Sequence, residues 1–219
     1  MKKILALVLA LTMVAAMAAC TPANNNETTG ATVGNTEANT EATTPATTEG
    51  TTVESDGAAL TVLNAVWTLF PEENKFPVMG GDAENPNWEG PGAVTLPGAE
   101  GNALWNLYVP DEQLANFTEA ATMIHAMNAN TFTAGALKLA EGADATAVAA
   151  ALADAIMNTR WMCGFPERMI IVSTGDCLVV AFGHDGVSYP EGGKLISLFL
   201  EGLQTVDAEA KVLHDEAIG

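Results

Sequence analysis

The chain has 219 residues, 48% of them hydrophobic, and a formal net charge of −19 from 27 acidic and 8 basic side chains. A surplus of that size repels DNA, RNA and anionic lipid headgroups, so no nucleic-acid partner is expected. The apolar content from residue 104 onward is enough for a core, and the length left after two non-folding segments fits about one domain.

Lys2 and Lys3 precede an uncharged stretch over 4–16, followed by Met17-Ala18-Ala19-Cys20. A basic start, a short apolar run and small residues before a cut read as a signal peptide over 1–19. The run is too short to cross a bilayer. A cysteine after two alanines resembles the lipobox of bacterial lipoproteins, although Met17 stands where those signals often have Leu. That resemblance implies lipid attachment at Cys20 and a protein held on the extracytoplasmic face of the cell membrane.

Residues 20–57 follow, and the stretch 21–57 holds twelve threonines and six acids with no Lys, Arg or aromatic residue. Such a segment cannot offset its chain entropy and is expected to be a disordered linker. Its root-mean-square reach is about 30–35 Å.

Segment 58–103 begins with Leu60, Leu63, Val66, Trp67 and Phe70 at helical spacing, ended by Pro71. Ser55 or Asp56 is placed to cap that helix. The stretch 71–101 contains five prolines and six glycines and is expected to be a loop packed on, or inserted before, the core.

The main α+β domain is expected over 104–219. Pro110 with Asp111 and Glu112 starts a short helix. Runs over 120–127 and 131–140 around Asn128-Ala129-Asn130 read as a hairpin. Asp144 caps a helix bearing Val148, Leu152 and Ile156. The β-branched runs 169–174 and 177–183 meet at Gly175-Asp176, a tight-turn signal. Ser188 and Glu191 have the spacing of a capping box before Leu195, Ile196, Phe199, Leu200 and Leu203. His214 falls in a charged tail. The simplest architecture that buries these faces is a four-stranded antiparallel sheet with helices on one face.

Three cysteines and three histidines are the reactive candidates. An oxidising compartment could join Cys163 and Cys177 in a disulfide; Cys163 lies among Trp161, Met162 and Phe165, and Cys177 beside Leu178 and Val179, so the reading favoured is two buried thiols. Cys177 and His184 sit at opposite ends of one expected strand and cannot form a dyad. Cys163 with His125 stays geometrically open, opposed by the apolar neighbours. No zinc-site, P-loop, serine-elbow or dinucleotide spacing occurs, so no cofactor and no catalytic set is expected. Asp82, Glu84, Asn85, Asn87 and Glu89 alternate oxygen donors as Ca²⁺ sites do, but Pro86 interrupts them and no EF-hand register fits; they are read as a solvated acidic loop. Trp88 within that loop is a candidate for stacking on a sugar or a partner surface.

The stretches 108–114, 132–139, 144–160 and 169–180 together resemble small lipoproteins of Gram-positive bacteria grouped by a domain of unknown function. The resemblance implies a lipobox, a polar linker and a compact α+β domain, and it carries over no catalytic residue. The expected role is therefore a non-enzymatic binding or accessory module of the cell envelope, anchored by its lipid and contacting an envelope protein or glycan. The alternative is a small extracellular hydrolase using acidic residues of the 71–101 loop.

Overall fold

The computed structural model describes residues 57–96, 104–186 and 193–218. Cys20, the signal peptide over 1–19, nearly all of the linker over 20–57, and the capping candidates Ser55, Asp56, Ser188 and Glu191 lie outside the described residues.

Helix α1 (Ala58–Leu69) is built as its spacing predicts. Ala59, Leu63 and Val66 line its buried face, and Phe70 leaves it in an extended conformation ahead of Pro71. The Pro/Gly-rich stretch then makes three short strands where the sequence suggests a loop: β1 (Val78–Gly81), β2 (Pro86–Asn87) and β3 (Gly92–Val94). Two hairpins follow, β4 (Phe117–His125) with β5 (Phe132–Leu139), and β6 (Arg168–Thr174) with β7 (Cys177–Gly183). Helix α2 (Ala145–Met157) links them. Its Asp144 cap accepts from the backbone N–H of Thr146 and Ala147, as expected for a carboxylate at that position. Helix α3 (Leu195–Val206) and strand β8 (Lys211–Ala217) complete the chain.

The sheet order is β2-β1-β4-β5-β7-β6-β8, with β3 also on β4, and every pairing is antiparallel. The expected four-stranded sheet with helices on one face is thus corrected to a sheet-rich fold of eight strands covered on both faces. One face is packed by α1 and α3 around Leu63, Val66, Phe132, Ile170, Val179, Phe199 and Leu203. The other is packed by α2 and the 104–109 segment around Leu107, Leu137, Leu152, Ile156, Ile171 and Phe182.

The physical reason lies in β6 and β7. Ile170 and Val172 face one layer while Met169 and Ile171 face the other, so a strand apolar on both sides requires cover on both sides. The added strands carry weak signals of their own. β1 and β3 are glycine-rich and β8 is charged; His214, placed by the sequence in a tail, pairs with Ile171 inside β8.

β4 takes both β1 and β3 on the same edge, β1 against Met123, Ile124 and His125 and β3 against Ala120, Ala121 and Thr122. This requires the backbones of β1 and β3 to meet. A Cβ on Gly80 would collide with the backbone nitrogen of Gly92, so only glycine permits the approach.

No helix among the described residues is long and apolar enough to cross a membrane.

Candidate functional site

The acidic loop uses its oxygens on itself. Asp82 Oδ1 accepts from the backbone N–H of Glu84 at 3.0 Å and Asn85 at 2.8 Å, and Oδ2 from that of Thr95 at 2.8 Å. The Thr95 contact is the largest cause holding the Asp82 carboxyl below its ordinary range. Asn87 Oδ1 accepts from Glu89 N and its Nδ2 donates to Pro91 O. In the stretch read as a solvated acidic loop, Asp82 and Asn87 thus shape a turn, and no group of three or more His, Cys, Asp or Glu gathers as a metal site among the described residues. Trp88 stands 64% exposed on that turn.

His125 lies at the end of β4, and His184 follows the end of β7. His125 closes β4, stacks on Phe76 with ring centroids 5.2 Å apart, and accepts at Nδ1 from the N–H of Met127 and Asn128. Burial pulls both His125 and His184 below the usual histidine range, and His184 lies near enough to depress His125 further. In both, burial favours the uncharged ring, with Glu167 acting the other way on His184. Cys177 is buried at the far end of β7 from His184, and burial pushes its thiol up to about 12.

Cys163 departs from expectation. It is exposed, at φ 62, because its carbonyl and those of its neighbours are held by two asparagines from the β4–β5 turn. Asn128 Nδ2 donates to Cys163 O at 3.1 Å, and Asn130 Nδ2 donates to Met162 O at 2.8 Å and Gly164 O at 3.0 Å. The apolar neighbours argued for burial; Trp161 does pack inward on Tyr108 and Phe182, but Met162 and Phe165 face outward beside the clamp. Met162 is 73% exposed, Phe165 66% and Met127, beside Asn128, 80%. Two loops stitched by three hydrogen bonds thus present three large apolar side chains to solvent. In the sequence the Asn128-Ala129-Asn130 segment signals only a turn, because carboxamide reach across 32–35 positions leaves no local pattern.

Beside this platform stands an ion cluster that the sequence did not point to. Arg168 at the start of β6 donates to Asp215 through Nε and Nη2, and through Nη1 to Asp185 at 2.9 Å and Ser197 Oγ at 2.8 Å. Asp185 accepts from Ser197 N at the start of α3, supplying the cap that Lys194 cannot. At the opposite end of the sheet Glu119 takes the ammonium of Lys138 at 2.7 Å across β4 and β5. Lys138 is the main cause holding the Glu119 carboxyl low, with smaller help from the N–H groups of Ala59 and Ala58 at the start of α1. The second oxygen of Glu119 is buried there without a full-geometry hydrogen bond.

Two small clefts accompany these features. One of about 160 Å³ is lined by Leu60, Val94 and Glu119, and one of about 190 Å³ by Leu69, Leu198 and Glu201. Each holds a single carboxylate. No family model, no curated protein and no solved structure matches the chain.

Proposed function

We propose that this is a lipid-anchored, extracytoplasmic lipoprotein that works as a non-enzymatic docking module of the cell envelope, with the Met127–Met162–Phe165 platform as its contact surface. The observation that carries the reading is the clamp: three hydrogen bonds from Asn128 and Asn130 hold apolar side chains outward in a fixed arrangement. Such preorganisation lowers the ordering cost of association. The resemblance to small lipoproteins of Gram-positive bacteria, with Cys20 as the acylated residue, supports the anchored address.

Position supports it as well. The described chain begins at Gly57, which abuts Glu119 near the start of β4, whereas Asn128 follows the end of that strand. The two points are roughly 20 Å or more apart at the rise of a β-strand. A polypeptide tethered through its N-terminal linker therefore carries its apolar platform on the end remote from the tether.

Two measurements test this. Mass spectrometry of the mature protein is expected to find diacylglycerol on Cys20, and an unmodified terminus would refute the anchor. A photo-crosslinking residue at Met162 is expected to give discrete adducts in intact cells, while one at exposed Glu209 gives none; equal labelling from both positions would refute the platform.

A further inference from the structure

The β4–β5 turn depends on one acceptor that a proton can remove. His125 Nδ1 faces two backbone donors, the N–H of Met127 at 3.2 Å and that of Asn128 at 3.3 Å, so the neutral ring carries its hydrogen on Nε2. Beyond them the turn closes on itself, Asn130 N donating to Asn128 Oδ1 at 3.0 Å and Thr131 N to Asn128 O at 2.9 Å. These contacts aim Nδ2 of Asn128 and of Asn130 at the carbonyls of Met162, Cys163 and Gly164. One imidazole thus stands at the root of the clamp. We propose that His125 is an acid-released latch: its neutral ring holds the β4–β5 turn closed, and a proton on Nδ1 frees the 162–164 loop that the turn clamps. The latch belongs to the two loops themselves, whether or not a partner docks on them.

Protonation converts Nδ1 from an acceptor into a donor, so the N–H groups of Met127 and Asn128 lose their partner and meet another donor. That arrangement costs free energy until something moves. The ring is held in place by Phe76, stacked with centroids 5.2 Å apart, and by the pairing of His125 with Val78 of β1. Below the turn β4 and β5 are fixed in register as far as Ile124 and Thr133. The part that yields is therefore the turn over 126–131. On the clamped side Cys163 sits at φ 62, a left-handed conformation that a residue with a Cβ adopts at a cost. Once the asparagine bonds let go, that segment is free to relax.

The surroundings set where the latch opens. Burial is the largest cause disfavouring charge on His125; its own carbonyl favours charge, and His184, the residue after β7, disfavours it. His184 in turn is helped towards charge by Glu167, the residue before β6, while Asp185 beside it is turned to Arg168. β1, the turn over 126–131 and the start of β5 over 132–137 bring no titratable side chain. The segment carrying Phe76 brings Lys75, which is turned to Glu72. The clamp is therefore whole above the ordinary histidine value of 6.5 and loosens as pH falls below it.

The test uses the whole chain from residue 20 with Cys20→Ser, so it is separate from the test of the anchor. Amide exchange is read by NMR between pH 5 and 7.5 and corrected for the intrinsic pH dependence of exchange. Protection at Met127, Asn128, Asn130 and Thr131 is expected to fall by up to about tenfold per pH unit, the limit for one proton. Backbone order parameters over 162–164 are expected to drop with the same midpoint, from about 0.85 to below about 0.6. His125→Asn sets a non-titrating carboxamide oxygen where Nδ1 stands, as in an Asx turn, and is expected to keep both loops ordered at every pH. His125→Phe keeps a ring against Phe76 without the acceptor and is expected to leave them loose even at pH 7.5. Order over 162–164 that is unchanged while the His125 ring titrates, a His125→Phe chain as ordered as its parent, or a transition that survives in His125→Asn and is lost in His184→Gln would each overturn the proposal.

Discussion

Arg168 grips Asp215 with two parallel hydrogen bonds, Nε to Oδ1 at 2.7 Å and Nη2 to Oδ2 at 2.8 Å, and by this pair β6 holds the edge strand β8. The same guanidinium reaches Asp185, which caps α3, so one side chain secures the strand and the helix that follow the second hairpin.

Arg168→Met is expected to destabilise the fold by about 2 kcal/mol, since it leaves two carboxylates facing each other in a half-buried corner. Asp215→Asn costs less, about 1 kcal/mol, because the Asp215 side chain is 41% exposed and solvent screens the pair. Urea unfolding measures both. Arg168 holds the Asp215 carboxyl below its ordinary 3.8. The pair's contribution is therefore whole above about pH 4 and is lost as pH falls through the lowered value. In Arg168→Met that acid-dependent loss is expected to vanish, and amides of 211–217 are expected to exchange faster than those of β7.

Gly80 and Gly92 meet where β1 and β3 share one edge of β4. Gly92→Ala places a methyl group against the backbone of Gly80 and Gly81, which cannot move aside as a flexible side chain would. A loss of about 2–4 kcal/mol is expected. Gly142→Ala, where a Cβ meets nothing within 4 Å but φ is +82, serves as a comparison and is expected to cost about 1 kcal/mol. A loss at Gly92 no larger than at Gly142 would contradict the close crossing.

Cys163 and Cys177 are expected to separate cleanly in thiol labelling of a Cys20→Ser chain. Cys163 is exposed, while Cys177 is buried with its thiol raised to about 12, so that at pH 8 roughly one in 10⁴ of it is thiolate. A maleimide at neutral pH is expected to modify Cys163 within minutes and Cys177 only on unfolding, read by intact mass. Asn130→Ala removes two of the three bonds on the 162–164 loop and is expected to speed hydrogen exchange there without unfolding the sheet.

His125 provides a pH signature. Burial is the largest cause lowering its affinity for protons from the ordinary 6.5, and His184 is lowered for the same reason. Folded-state histidines of this kind leave stability at its full value above about pH 6.5 and reduce it as pH falls towards their lowered values, because the unfolded chain binds the protons first. The slope is bounded by about 1.4 kcal/mol per pH unit for each histidine. Urea unfolding between pH 5 and 7.5 is expected to show the decline, and His125→Gln is expected to make it shallower. A stability flat across that range would count against both neutral histidines.

Much of the secondary structure is readable from local chemistry. The helical spacing of Leu63, Val66 and Phe70, the Asp144 cap and the Gly175-Asp176 turn each act within a few residues, so the elements they specify form where the sequence places them. Strands β1, β3 and β8 were not legible in this way. They are short, glycine-rich or charged, and what makes them strands is hydrogen bonding to β4 and β6 rather than any pattern of their own.

The candidate surface divides along the same line. Composition alone determines that the chain is strongly acidic, and the segment around Cys20 alone carries the expectation of a lipid anchor. Only tertiary structure decided that Asp82 builds a turn, that Cys163 faces solvent, and that Arg168 and Glu119 find partners from distant strands. Apolar periodicity is a local property that survives in one dimension. The satisfaction of a carboxamide, a guanidinium or a carboxylate depends on which groups the fold brings within 3 Å, and side chains as far apart in sequence as Arg168 and Asp215 meet only once the sheet has formed.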